Sequence, residues 1–114
     1  MNSINRAAVV IKPKQPFVDW LNSIHGEKSD YTLEKMPKEH TTYLIPEFFG
    51  PDESLAYIKK IYSEIFGLEL FAWYTPEELW PKKRNWEMFQ EWFDVEINSE
   101  VFDLVDGEIE KEEM

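Results

Sequence analysis

The sequence predicts an α+β fold in two layers, a small mixed sheet of three to four strands with helices packed on one face. Three observations predict it. Short runs rich in β-branched residues, Ala7–Ile11 and Thr41–Ile45, read as strands. Between and after them, apolar residues recur at the helical period of about 3.6 residues. From Asp94 onward the pattern switches to period two, apolar against acidic, as a sheet with one wet face requires.

Taken in order, Ala7–Ile11 is apolar throughout, so it is expected to be buried on both faces. Pro16 stands where a first helical turn begins, and Phe17, Trp20, Leu21 and Ile24 follow at i, i+3, i+4 and i+7. Gly26 falls just past that helix. A charged connector, His25 to His40, leaves room for one helical turn at Thr32–Lys35. The second strand, Thr41–Ile45, ends at Pro46, which suits a strand end or a sheet edge.

Gly50-Pro51-Asp52-Glu53 marks the next helix start, with two acids near the positive end of the helix dipole. Leu55, Ile58, Tyr62, Ile65 and Phe66 form its apolar face, and Gly67 is placed to stop it. LELFAWY, residues 68–74, fits either an aromatic extension of the helix or a strand. The glycine before it and its aromatic content favour a strand. Thr75-Pro76-Glu77-Glu78 has the capping-box pattern, so a short helix is expected before Pro81. Asn85 can cap one more helix, in which Trp86, Met88, Phe89, Trp92 and Phe93 share an arc of about 160°. Such an arc is built to lie on a core, so these rings are read as scaffold. The alternation after Asp94 slips near Asn98-Ser99, which calls for a bulge or a turn between two short strands.

The 114 residues fit one domain, assigned to 1–106, with 107–114 an acidic tail expected to fray. Hydrophobic residues make up 43%, enough to build a core. Stability should be on the order of 6–17 kcal/mol, at roughly 0.05–0.15 per residue. There is no cysteine, which excludes disulfides, thiol nucleophiles and cysteine-ligated metal centres. No apolar run approaches the ~20 residues of a membrane helix, and a cytoplasmic protein is expected.

PFVDWL, TTYLIPEF and EWFDVEINSEVFDLVD together resemble a family of short acidic bacterial proteins for which no activity is assigned. The resemblance covers most of the chain through framework residues, so it implies a shared fold and carries no site residue across.

Net charge is −11, and residues 85–114 hold eleven acids against Lys111. Such a surface repels phosphate backbones, so nucleic acid is not expected as a partner despite the cations Lys82-Lys83-Arg84. No nucleophile elbow, glycine-rich phosphate cradle or zinc spacing is present, so no catalytic residue, metal or cofactor is assigned.

Two functional readings remain. The first is a non-catalytic interaction module that meets a basic protein through Glu87, Glu91, Asp94, Glu96 and Glu100, or a second copy of itself through an exposed strand edge. The alternative is a small-ligand-binding protein or enzyme with a pocket lined by Trp20, Tyr43, Trp73 and Trp80, His40 or Glu47 supplying the polar group. The first is preferred from sequence. An acid sequestered beside His25 or His40, or Trp86, Phe89 and Trp92 lining an open groove, would favour a catalytic or ligand-holding role instead.

Overall fold

The structure, a computed structural model, describes residues 2–26 and 30–113. Its elements are β1 (Asn2–Ser3), β2 (Arg6–Pro13), α1 (Gln15–His25), β3 (Thr41–Pro46), α2 (Pro51–Trp73), a short 3₁₀ turn (Glu77–Leu79), α3 (Trp86–Trp92), β4 (Phe93–Asn98) and β5 (Phe102–Asp103). The class is α+β as expected. Strands β3-β2-β4 form one sheet and β1-β5 a small second one. Every pairing is antiparallel, so the sheet is not mixed. The slip near Asn98-Ser99 is where the chain leaves β4 for the second sheet.

The central strand is buried on one face only. Ala7, Val9 and Ile11 are fully covered, while Ala8, Val10 and Lys12 on the other face are half-buried. The expectation of two covered faces fails because all three helices choose the same side. Phe93, at the start of β4, shows this directly: its ring centroid lies 5.3 Å from Phe17 of α1, Phe66 of α2 and Phe89 of α3. Each helix thus sends one ring to a single point on the inner face of the sheet. Phe93 begins the strand and does not end the helix, yet its ring stays in the core. Trp92 and Phe89 are buried with it, and Trp86 stacks on Phe89 at 5.7 Å with 16° between planes.

Residues 68–73, expected within a strand over 68–74, are instead the last quarter of α2. The helix passes through Gly67, whose φ is not positive, and runs to Trp73. The cause is a longer apolar stripe than the one first read. Ile58, Tyr62, Ile65, Phe66, Leu70 and Trp73 keep helical spacing across the glycine, with Leu70 fully buried. The helix ends where the Tyr74 N–H donates to the Leu70 carbonyl at 2.9 Å and Tyr74 turns extended, two residues before Pro76. At the next start, Asn85 Oδ1 accepts the Met88 N–H at 2.8 Å, the cap expected from sequence.

Candidate functional site

Of the six residues expected to line one pocket, the structure sets two, His40 and Trp73, on one cavity, and a third, Tyr43, bonds to a residue of its lining. Trp20 is a core wall, 8% exposed, with its Nε1 donating to the Leu79 carbonyl at 2.9 Å. Trp80 is half-buried, and its Nε1 donates to the Tyr74 carbonyl at 2.7 Å. Both indole N–H groups are therefore spent on backbone. Glu47 borders a separate hollow of about 280 Å³ beside Phe48, Tyr57 and Lys60. His40 and Trp73, by contrast, line one cavity of about 60 Å³ together with Glu69, Ile11, Phe17 and Met36. Tyr43 is not part of that lining but donates its hydroxyl to Glu69 Oε2 at 2.6 Å.

Three elements build this site. Tyr43 opposes Val9 in the β2–β3 ladder, which sets it on the helix-covered face of the sheet. Glu69 follows Ile65 by four residues and precedes Trp73 by four, so the helix aims a carboxylate along its own apolar stripe. Met36, Pro37 and His40 of the connector close the remaining side. The Thr32 turn, in which the N–H groups of Lys35 and Met36 both donate to the Thr32 carbonyl at 3.1 Å, fixes the start of that wall.

The electrostatics follow from burial. Desolvation raises the Glu69 carboxyl above its ordinary range, against the opposing pull of the hydroxyls of Tyr43 and Thr41 and of nearby His40. Desolvation, then the bond to Glu69, pushes the Tyr43 phenol well above its ordinary value, so Tyr43 acts as a fixed hydrogen-bond donor and not as a base. Glu69 has no lysine or arginine partner among the described residues. Although Glu39, His40 and Glu69 line the same cavity, no three such side chains among the described residues are arranged to hold a metal ion. The arrangement can hold and orient a ligand through one oriented carboxylate, with Trp73 and Met36 on the apolar side and Glu39, His40 and Thr41 on the polar side.

Glu69 is the residue that reading the sequence missed. It lay inside LELFAWY, where a strand reading gave it no face. The signal was the glutamate's place in the spacing Ile58, Ile65, Glu69, Trp73, an acid where a core residue belongs.

The acidic residues are spread along α3, β4 and the loop after it, and all five are exposed. Asp94 and Glu96 are partly neutralised on the open face of the sheet, 3.7 Å from Lys14 and Lys12 respectively. Glu87, Glu91 and Glu100 have no ion pair among the described residues. His25 is exposed and meets the rings of Tyr31 and Tyr74 at 5.8 and 6.4 Å, away from Glu69's cavity. In the basic cluster, Lys82 and Lys83 are exposed, but Arg84 turns inward. Its guanidinium lies 5.8 Å from the ring centres of both Phe66 and Trp80.

No helix among the described residues is long and apolar enough to cross a membrane. Comparison of the chain with protein-family models, with curated proteins and with solved structures returns no match.

Proposed function

We propose that the chain is a small-ligand-binding protein whose site is the Glu69 cavity between β2, β3, α2 and the connector. One observation carries the reading: a half-buried carboxylate, oriented by Tyr43 at 2.6 Å, shares a cavity with Trp73, Met36 and His40 and has no lysine or arginine partner among the described residues. Burying a carboxylate is unfavourable unless something compensates, so its retention in an apolar stripe argues for use. This reverses the preference drawn from sequence, on the criterion of an acid sequestered beside His40. A cytoplasmic protein that samples metabolites fits the reading.

Trp73 lines the cavity, so occupancy should alter tryptophan emission. Wild type and Glu69→Gln are titrated with a panel of amines, amino acids, short carboxylates, alcohols and sugars. A saturable change in wild type that weakens at least tenfold in the variant supports the reading. A panel in which no member changes the emission of the wild type sinks it.

A second reading, an acidic interaction surface for a basic protein, draws on the exposed and unpaired Glu87, Glu91 and Glu100. Its homodimer form draws on β3 and β4, each with one strand neighbour in its sheet. Removing the charges of Glu87, Glu91 and Glu96 should then abolish a salt-sensitive complex. If captured partners and their salt dependence stay unchanged, the acidic side serves only solubility.

A further inference from the structure

Resting on the ligand-binding reading, we infer that the Glu69 cavity takes the head group of a small primary alkylammonium ion. Three features select that chemistry.

The first is charge. Asp30, Asp94 and Glu96 each have a lysine of the same chain at 2.7, 3.7 and 3.7 Å, and all three lie at the surface. Glu69 is more buried than any of them and has none. The hydroxyls of Tyr43 and Thr41 and nearby His40 compensate this carboxylate only in part, and a cation seated beside it would compensate it further. An anionic ligand would meet Glu69 and Glu39 on the same lining and be repelled.

The second is the character of the walls. Trp73 presents a ring and Met36 and Pro13 present hydrocarbon, over a floor of the buried Ile11 and Phe17, with Glu39, His40 and Thr41 beside them. Aromatic faces attract cations within about 6 Å of their centres. The aliphatic surface of Met36 and Pro13 suits a short alkyl chain, while Glu39, His40 and Thr41 leave the rim polar.

The third is size. About 60 Å³ exceeds what one water needs, yet falls far below the roughly 300–1,000 Å³ of sites that hold whole metabolites. It suits an ammonium group with a few carbons. A neighbouring hollow of about 270 Å³ shares Pro13, Met36, Pro37 and His40 with the cavity, so a longer tail has a place to lie.

The test is a titration of the full chain, isotopically labelled, with n-butylammonium chloride, butan-1-ol and sodium butyrate in parallel, read by backbone amide shifts. Butylammonium is expected to produce saturable shifts at Thr41, Glu69 and Trp73. Glu69→Gln, which keeps the shape of the side chain, should weaken that binding at least tenfold. Tyr43→Phe, which leaves the carboxylate in place, should weaken it by a smaller factor and guards against an effect of misfolding in the first variant. Butylammonium shifts that persist unchanged in Glu69→Gln overturn the inference, as does silence at these residues for all three probes. If butanol or butyrate binds at the same residues as tightly as butylammonium, the cation assignment fails while the ligand-binding reading survives. If neither these probes nor the metabolite panel reaches the cavity, the reading falls as well.

Discussion

The Tyr43 hydroxyl and Glu69 Oε2 are 2.6 Å apart, a strand residue and a helix residue joined across the inner layer of the fold. Burial outweighs that bond and raises the Glu69 carboxyl above its ordinary range. An acid raised in the folded state favours its protonated form there. Its contribution to stability is complete below the ordinary glutamate range and is lost as pH rises through the folded value. The groups around it that also titrate or carry charge are Tyr43, His40 and Glu39. Glu69→Gln should therefore match wild type in acid and become the more stable protein as pH rises past the ordinary glutamate range. Urea midpoints from pH 4 to pH 8 check this. A variant that loses stability relative to wild type over that rise contradicts the burial argument.

Tyr43→Phe removes the donor and leaves the carboxylate in place. Because the hydroxyl pulls the Glu69 value down, its loss should move the Glu69 titration midpoint further up, measured by side-chain carboxyl chemical shift against pH. A hydrogen bond to a charged group contributes about 1.5–3 kcal/mol, so the loss should be felt most where Glu69 is ionised. An unmoved midpoint would show that the phenol does not hold the acid in solution.

Phe93 receives one ring from each helix at 5.3 Å and is 2% exposed. Phe93→Ala should cost about 3–5 kcal/mol, the range for emptying a buried aromatic position. Against a total on the order of 6–17 kcal/mol, that is enough to bring the fold near its limit. Phe93→Leu, which refills most of the volume, should cost much less. Urea unfolding of both variants gives the ratio, and equal losses would mean that the convergence of three helices on this ring is not what holds them.

Arg84 is a half-buried cation whose Nε has no hydrogen-bond partner, while its Nη1 donates to the Pro81 carbonyl at 2.8 Å. What compensates it is the pair of rings, Phe66 and Trp80, each with its centre 5.8 Å from the guanidinium carbon. A flat guanidinium can face two rings, and a lysine ammonium cannot replace that arrangement. Arg84→Lys is expected to lose about 0.5–2 kcal/mol, measured by thermal and urea unfolding. The same change at Lys82 or Lys83, to Arg, should do nothing measurable, since both side chains are exposed.

How much of this was legible in the sequence depends on whether a residue's role is set by its own helix or strand. The faces of α1 and β4, the Asn85 cap and the turn at Asn98-Ser99 are local, and periodicity read them correctly. The inward reach of Arg84 was not legible, because a cation beside two other cations reads as solvated linker until Phe66 and Trp80 are known to flank it. The cavity was half legible. His40 and Trp73 meet on the cavity, and Tyr43 reaches Glu69, only because β3, the connector and α2 come together. Trp20 and Trp80 were misplaced because an indole N–H gives no sign in sequence of which carbonyl it will find. Glu69 was hidden by a boundary error: once Gly67 was taken as a stop, the stripe through Ile58, Ile65, Glu69 and Trp73 was cut in two.

Gly67 itself offers the sharpest check on that boundary. A glycine at a helix end commonly sits at positive φ, where any other residue is strained and alanine destabilises. In the structure only Gly26 and Gly107 have positive φ among the described residues, and Gly67 lies inside α2 with nothing within 4 Å of an added Cβ. A glycine in a helix interior is worse than alanine because its unfolded chain is freer, and no neighbour opposes the replacement here. Gly67→Ala should therefore raise stability by about 0.4–1 kcal/mol and increase helicity by circular dichroism. The prediction separates the two readings of residues 68–74 by sign alone. If they followed a helix stop, the same substitution would lower the urea midpoint, and the continuity of α2, with Glu69 facing inward upon it, would have to be given up.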